Sequence, residues 1–130
     1  MKDGKPYLSF AMQGGDAQDQ NLLQWFLNIV EFGMNPQQAV EQPTVTTNNF
    51  HASGYPQEVG DTLQLPLLLA ERIGDALRAK GHKVDVSRLQ RPYQQQVSGA
   101  GAVKIVWIDP VTGVMQGAVS PAKDDYVMGW

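Results

Sequence analysis

Within the first 33 residues the apolar pattern changes period, and a glycine doublet marks the change. Leu8, Phe10 and Met12 alternate along 6–12, which predicts a strand half-buried on one side, with Tyr7 and Phe10 suited to a pleated surface. After Gln13-Gly14-Gly15-Asp16, the residues Leu22, Phe26, Ile29 and Val30 recur at helical spacing, with Leu23 and Leu27 widening the stripe. Asp16 or Asp19 is expected to cap that helix, and Gly33 to end it in a left-handed conformation. A strand that runs through Gly-Gly into a helix confines the chain to mixed α and β layers.

Punctuation divides the rest. Asn35-Pro36-Gln37-Gln38 combines an N-cap, a proline at the first helical position and a glutamine able to complete a capping box; Pro43 stops the short helix. The β-branched run 44–47 predicts a strand, and 48–60, broken by Gly54 and Pro56, predicts a loop, with or without a short strand in it. A third helix is expected over 65–80, burying Leu69, Ile73, Ala76 and Leu77 and closed by Gly81. Strands follow at 83–86 and 102–108, the second apolar on both faces, as in a sheet covered on both sides. The glutamine-rich stretch 87–98 is expected to be a surface loop or lid. Asp109-Pro110-Val111-Thr112-Gly113 then connects a hairpin whose second arm is 114–119. The fold class is α+β, in one domain spanning 1–130.

Charge and composition exclude several functions. Ten basic and 13 acidic residues leave a net charge of −3, which disfavours a nucleic-acid partner. Residues 1–71 hold two lysines against eight carboxylates, a net of −6; residues 72–130 hold eight bases against five acids, a net of +3. No apolar run has the roughly 18–20 residues of a membrane span. With no cysteine there is neither a thiol nucleophile nor a thiolate metal site. His51 and His82 lack metal-ligand spacing, so neither metal nor cofactor is expected. Ser53, His51 and Asp61 make a catalytic triad only on paper, since no nucleophile elbow accompanies them. Asp124-Asp125 reads as a solvated tail rather than a carboxylate pair.

Gly14 and Gly15 are the candidate site. Glycines between a strand and a helix let main-chain N–H groups approach a ligand without a Cβ in the way. The positive end of the helix dipole then favours a carboxylate or a developing oxyanion. The competing reading is a plain strand-to-helix turn in a binding or assembly module.

Lys2-Asp3-Gly4-Lys5-Pro6, the strand, Gly14-Gly15, the amphipathic helix ending Phe32-Gly33-Met34-Asn35, then Gln38-Ala39-Val40-Glu41 and Pro43 together resemble the gamma-glutamyltransferase family. Leu77, Ala79, Gly81, His82 and Val84 resemble its later helix and strand. Asp109-Pro110, Thr112-Gly113-Val114, Gly117-Ala118 and Pro121 are similar to its closing hairpin. The resemblance implies part of an N-terminal-nucleophile hydrolase with an αββα sandwich. Such an enzyme transfers or hydrolyses gamma-glutamyl groups, as of glutathione, through an acyl-enzyme formed on an N-terminal threonine. It also implies that Gly14 and Gly15 give their N–H groups to the oxyanion.

In that family the nucleophilic threonine and a substrate-binding serine pair precede the Lys-Asp-Gly stretch, and none of Thr44, Thr46, Thr47, Thr62 and Thr112 matches the nucleophile. The resemblance therefore implies a C-terminal fragment of the small catalytic subunit, inactive alone. Its implied partners are the large subunit, the N-terminal part of the small subunit and a gamma-glutamyl substrate. Asp16-Ala17-Gln18-Asp19-Gln20 stands where the better-known transferases often have Ser-Arg, which leaves a related amide acylase as an alternative. Self-association through exposed strand edges is a further expectation for an isolated piece.

Overall fold

A computed structural model of the chain describes residues 1–13, 15–49, 59–86, 103–120 and 126–129. Among the described residues, six strands and three α-helices follow one another as β1 (Leu8–Met12), α1 (Gln18–Val30), α2 (Pro36–Glu41), β2 (Thr46–Thr47), β3 (Thr62–Leu65), α3 (Leu67–Ala79), β4 (Lys83–Val86), β5 (Val103–Ile108) and β6 (Met115–Val119). A 3-10 turn, Gly15–Ala17, leads into α1. The expected α+β class holds.

The strands form two three-stranded sheets. In the first, β5 lies between β1 and β6, antiparallel to both, with Phe10 opposite Ile105 and Ile105 opposite Ala118. Its inward positions (Leu8, Phe10, Met12, Val103, Ile105, Trp107, Ala118) pack with Trp25 and Ile29 of α1 and Ala39 and Val40 of α2. Each fully buried large side chain of this kind contributes about 1.5–3 kcal/mol by leaving water. In the second sheet β3 pairs antiparallel with β2 and parallel with β4, and α3 makes the crossover.

The capping box of α2 forms as expected: Gln38 N donates to Asn35 Oδ1 at 2.8 Å, and Asn35 N donates to Gln38 Oε1 at 3.2 Å. The hairpin at Asp109–Gly113 also forms, with Gly113 at φ 75° and Asp109 Oδ1 accepting from Val111 N at 2.8 Å.

Other expectations are corrected. Neither Asp16 nor Asp19 caps α1; the N-cap is Ala17, with no side-chain cap, because the 3-10 turn places Asp16 before the helix and Asp19 inside it. The most buried line of α1 is Asn21, Trp25 and Ile29, while Leu23 and Phe26 are exposed. Only Thr46–Thr47 of the β-branched run is strand, and β3 occupies residues that carried no strand expectation, taking Leu65 away from α3. Along α3 Gly74 alone is buried; Leu69 and Leu77 are half-buried, and Ile73 and Ala76 are exposed, because a three-stranded sheet covers only one side of the helix. On β5 the outward Lys104 and Val106 are exposed, so the sheet is covered on one face there, not two. Val127 lies where a Cβ on Gly117 would stand. The expected loop at 87–98, most of the expected loop at 48–60 and the start of the 102–108 strand lie outside the described residues.

Candidate active site

β1 ends at Met12 and the 3-10 turn begins at Gly15, so the strand-to-helix junction lies where the glycine doublet predicts it. Gly15 has φ 54°, a left-handed backbone that side chains disfavour, and no atom comes within 4 Å of a Cβ placed on it. Its conformation, rather than crowding, is what calls for glycine. Gly15 is exposed, and among the described residues its N–H donates to no backbone carbonyl. Gly14 lies outside the described residues. The N-terminus of α1 carries no side-chain cap. Exposed amides at the positive end of a 13-residue helix are suited to a carboxylate or an oxyanion.

The helix behind this turn is held on two sides. Its buried side carries Asn21, wholly inaccessible, whose Nδ2 donates to Ala17 O at 2.8 Å while Oδ1 has no partner. The next side carries Gln20 and Gln24, whose amides reach across to the backbone of Thr47 and Val45. Asp16 precedes the helix and Asp19 lies in its first turn.

The remaining candidates do not gather here. Asp61 pairs with Lys83 at the start of the second sheet, and the Lys83 hydrogen bond holds its carboxyl below the ordinary value. His82 is exposed after α3, its N–H bonded to Leu77 O at 3.1 Å. His51, Ser53, Asp124 and Asp125 lie outside the described residues. No group of three or more potential metal ligands occurs among the described residues, and none of their helices is long and apolar enough to cross a membrane. Of the threonines, Thr44 is buried, Thr47 and Thr62 bond within the second sheet, and Thr112 lies in the hairpin turn. Sequence reasoning missed Gln20 and Gln24, although two amides four residues apart beside an apolar stripe was a readable signal.

The gamma-glutamyltranspeptidase family pattern matches residues 1–130. The chain is 27% identical over 128 residues to the glutathione hydrolase-like YwrD proenzyme of Bacillus subtilis, covering 98% of this chain and 22% of that protein. It is likewise 27% identical to a glutathione hydrolase proenzyme of the same organism, covering 19% of it. Among solved structures, cephalosporin acylase from Bacillus halodurans superposes with a TM-score of 0.78 at 29% identity, over 99% of this chain and 21% of that one. Helicobacter pylori gamma-glutamyltranspeptidase shares the fold, with a TM-score of 0.73 at 21% identity, over 95% of this chain and 57% of that one. The fold is thus that of part of an N-terminal-nucleophile hydrolase. The chain spans about a fifth of the length of the curated relatives it matches, and across its whole extent it belongs to the gamma-glutamyltranspeptidase family.

Proposed function

We propose that this chain is the C-terminal portion of the small catalytic subunit of a gamma-glutamyltransferase-like enzyme. That enzyme transfers or hydrolyses gamma-glutamyl groups, as of glutathione, through an acyl-enzyme. The chain supplies the oxyanion wall through the main-chain N–H groups of Gly14 and Gly15. A threonine outside this chain attacks the amide carbonyl, and the carbonyl oxygen gains the charge that the two N–H groups stabilise. The large subunit and the N-terminal part of the small subunit complete the site, so the chain alone has no turnover. The observation that carries the reading is Gly15, at φ 54° on an uncapped helix N-terminus, within a chain that matches the family throughout.

The test is Gly15→Ala and Gly15→Asn in the assembled full-length enzyme, assayed by release from a gamma-glutamyl anilide. Alanine strains the left-handed backbone and tilts the turn, and kcat falls by about 10²–10³, the range for losing one oxyanion donor. Asparagine tolerates that backbone better and keeps more activity. An unchanged rate with alanine refutes the role and favours a non-catalytic assembly module.

A second reading, a related amide acylase, is favoured by the likeness to cephalosporin acylase and by Asp16 following the glycine doublet. Turnover of an acyl cephalosporin with no release from the gamma-glutamyl anilide would select it.

A further inference from the structure

We infer that Gln20 and Gln24 are positioning residues that hold the oxyanion turn in place by locking α1 against the edge of β2, an inference that rests on the oxyanion reading above. Each glutamine amide pairs with a backbone peptide as a neighbouring strand would. Gln24 Oε1 accepts from Val45 N at 2.8 Å while its Nε2 donates to Val45 O at 2.8 Å. Gln20 Oε1 accepts from Thr47 N at 2.8 Å and its Nε2 donates to Thr47 O at 3.0 Å. The second N–H of Gln24 donates to Gln20 O at 2.9 Å, which fixes the amide's orientation. Both side chains are half-buried.

The two spacings match. Positions i and i+4 of a helix are about 6 Å apart along its axis, and positions i and i+2 of a strand about 6.6 Å. Val45, immediately before β2, and Thr47 within it therefore present their peptide groups along one edge in step with Gln24 and Gln20, while Thr46 faces β3. Moving α1 by one residue would swing both amides through about 100° and break all four bonds. The lock also explains the rotation of α1: with Gln20 and Gln24 facing β2, Asn21 and Trp25 turn into the core. Gly15 lies five residues before Gln20, joined to it by the 3-10 turn and the first turn of α1, so holding the helix holds the turn.

The test uses the assembled full-length enzyme with Gln20→Met and Gln24→Met, singly and combined, which keep side-chain length and remove the amide. Amide exchange at Val45 and Thr47 is expected to accelerate at least about tenfold. In the double variant kcat is expected to fall by about 10- to 100-fold with KM within about twofold, because displacement by a fraction of an ångström to one ångström acts on the transition state. If the double variant does not fold, the single Gln24→Glu variant keeps the acceptor for Val45 N–H, loses the donor, and is expected to give a smaller kcat loss at unchanged KM. A fall in melting temperature with kcat intact overturns the inference, as does unaltered exchange at Val45 and Thr47. A Gly15→Ala enzyme that is slow beside glutamine variants at full rate defeats the positioning role alone; a full-rate Gly15→Ala enzyme defeats the oxyanion reading on which it rests.

Discussion

Thr44→Val is expected to stabilise the protein, against the general tendency of core substitutions. Thr44 sits between Pro43 and β2, only 2% exposed, and its Oγ1 has no hydrogen-bond partner. A hydroxyl buried without a partner costs about 1–3 kcal/mol relative to water. Valine replaces the hydroxyl with a methyl of similar size and keeps the β-branched side chain, so the cavity and the backbone preference hardly change. Taking the lower end, the gain is about 1 kcal/mol, or about 4 °C in Tm for a chain of this length. Thr44→Ser is the control: it keeps the unpaired hydroxyl, loses the methyl, and should cost about 1 kcal/mol. Urea denaturation of the chain, followed by the fluorescence of its tryptophans, measures both. A valine variant less stable by about 1 kcal/mol or more would show that the hydroxyl is bonded in the native protein, and would refute the reasoning.

The capping box predicts that Asn35→Ala costs about 1 kcal/mol, read in the same denaturation experiment, because Gln38 N loses its acceptor at the start of a six-residue helix. At the hairpin, the Asp109 carboxyl is held below its ordinary 3.8 chiefly by the backbone N–H of Val111, then by the Thr112 hydroxyl and N–H. A depressed folded value means that the stabilisation is complete above about pH 4 and is lost as pH falls through the folded value. The stability difference between Asp109→Asn and the parent should therefore shrink between pH 6 and pH 2; a difference that stays constant would show that the charge is not involved.

Local chemistry that needs only neighbours was legible in the sequence. The cap at Asn35, the stop at Pro43, the Asp109 turn and the junction at Gly15 each rest on residues within a few positions of one another, whose preferences survive in any fold. β3 escaped notice because Thr62–Leu65 is too short to show a period, and its strand character comes from the parallel pairing to β4 across α3. The buried stripe of α3 was misplaced because apolar spacing locates a face without revealing what covers it. For the candidate site, sequence located the turn that begins at Gly15, while the amide lock from Gln20 and Gln24 joins residues 21 and 27 positions apart.

What the sequence determined by itself is the order of the three helices and of every strand but β3, the α+β class and the family, since these follow from short-range preference and from an ordered set of residues. Tertiary structure alone decided how α1 is rotated, which side of each sheet is covered and which strand edge is closed by glutamines rather than by another strand. Those outcomes depend on matching two spacings across space, a condition that no window along the chain contains.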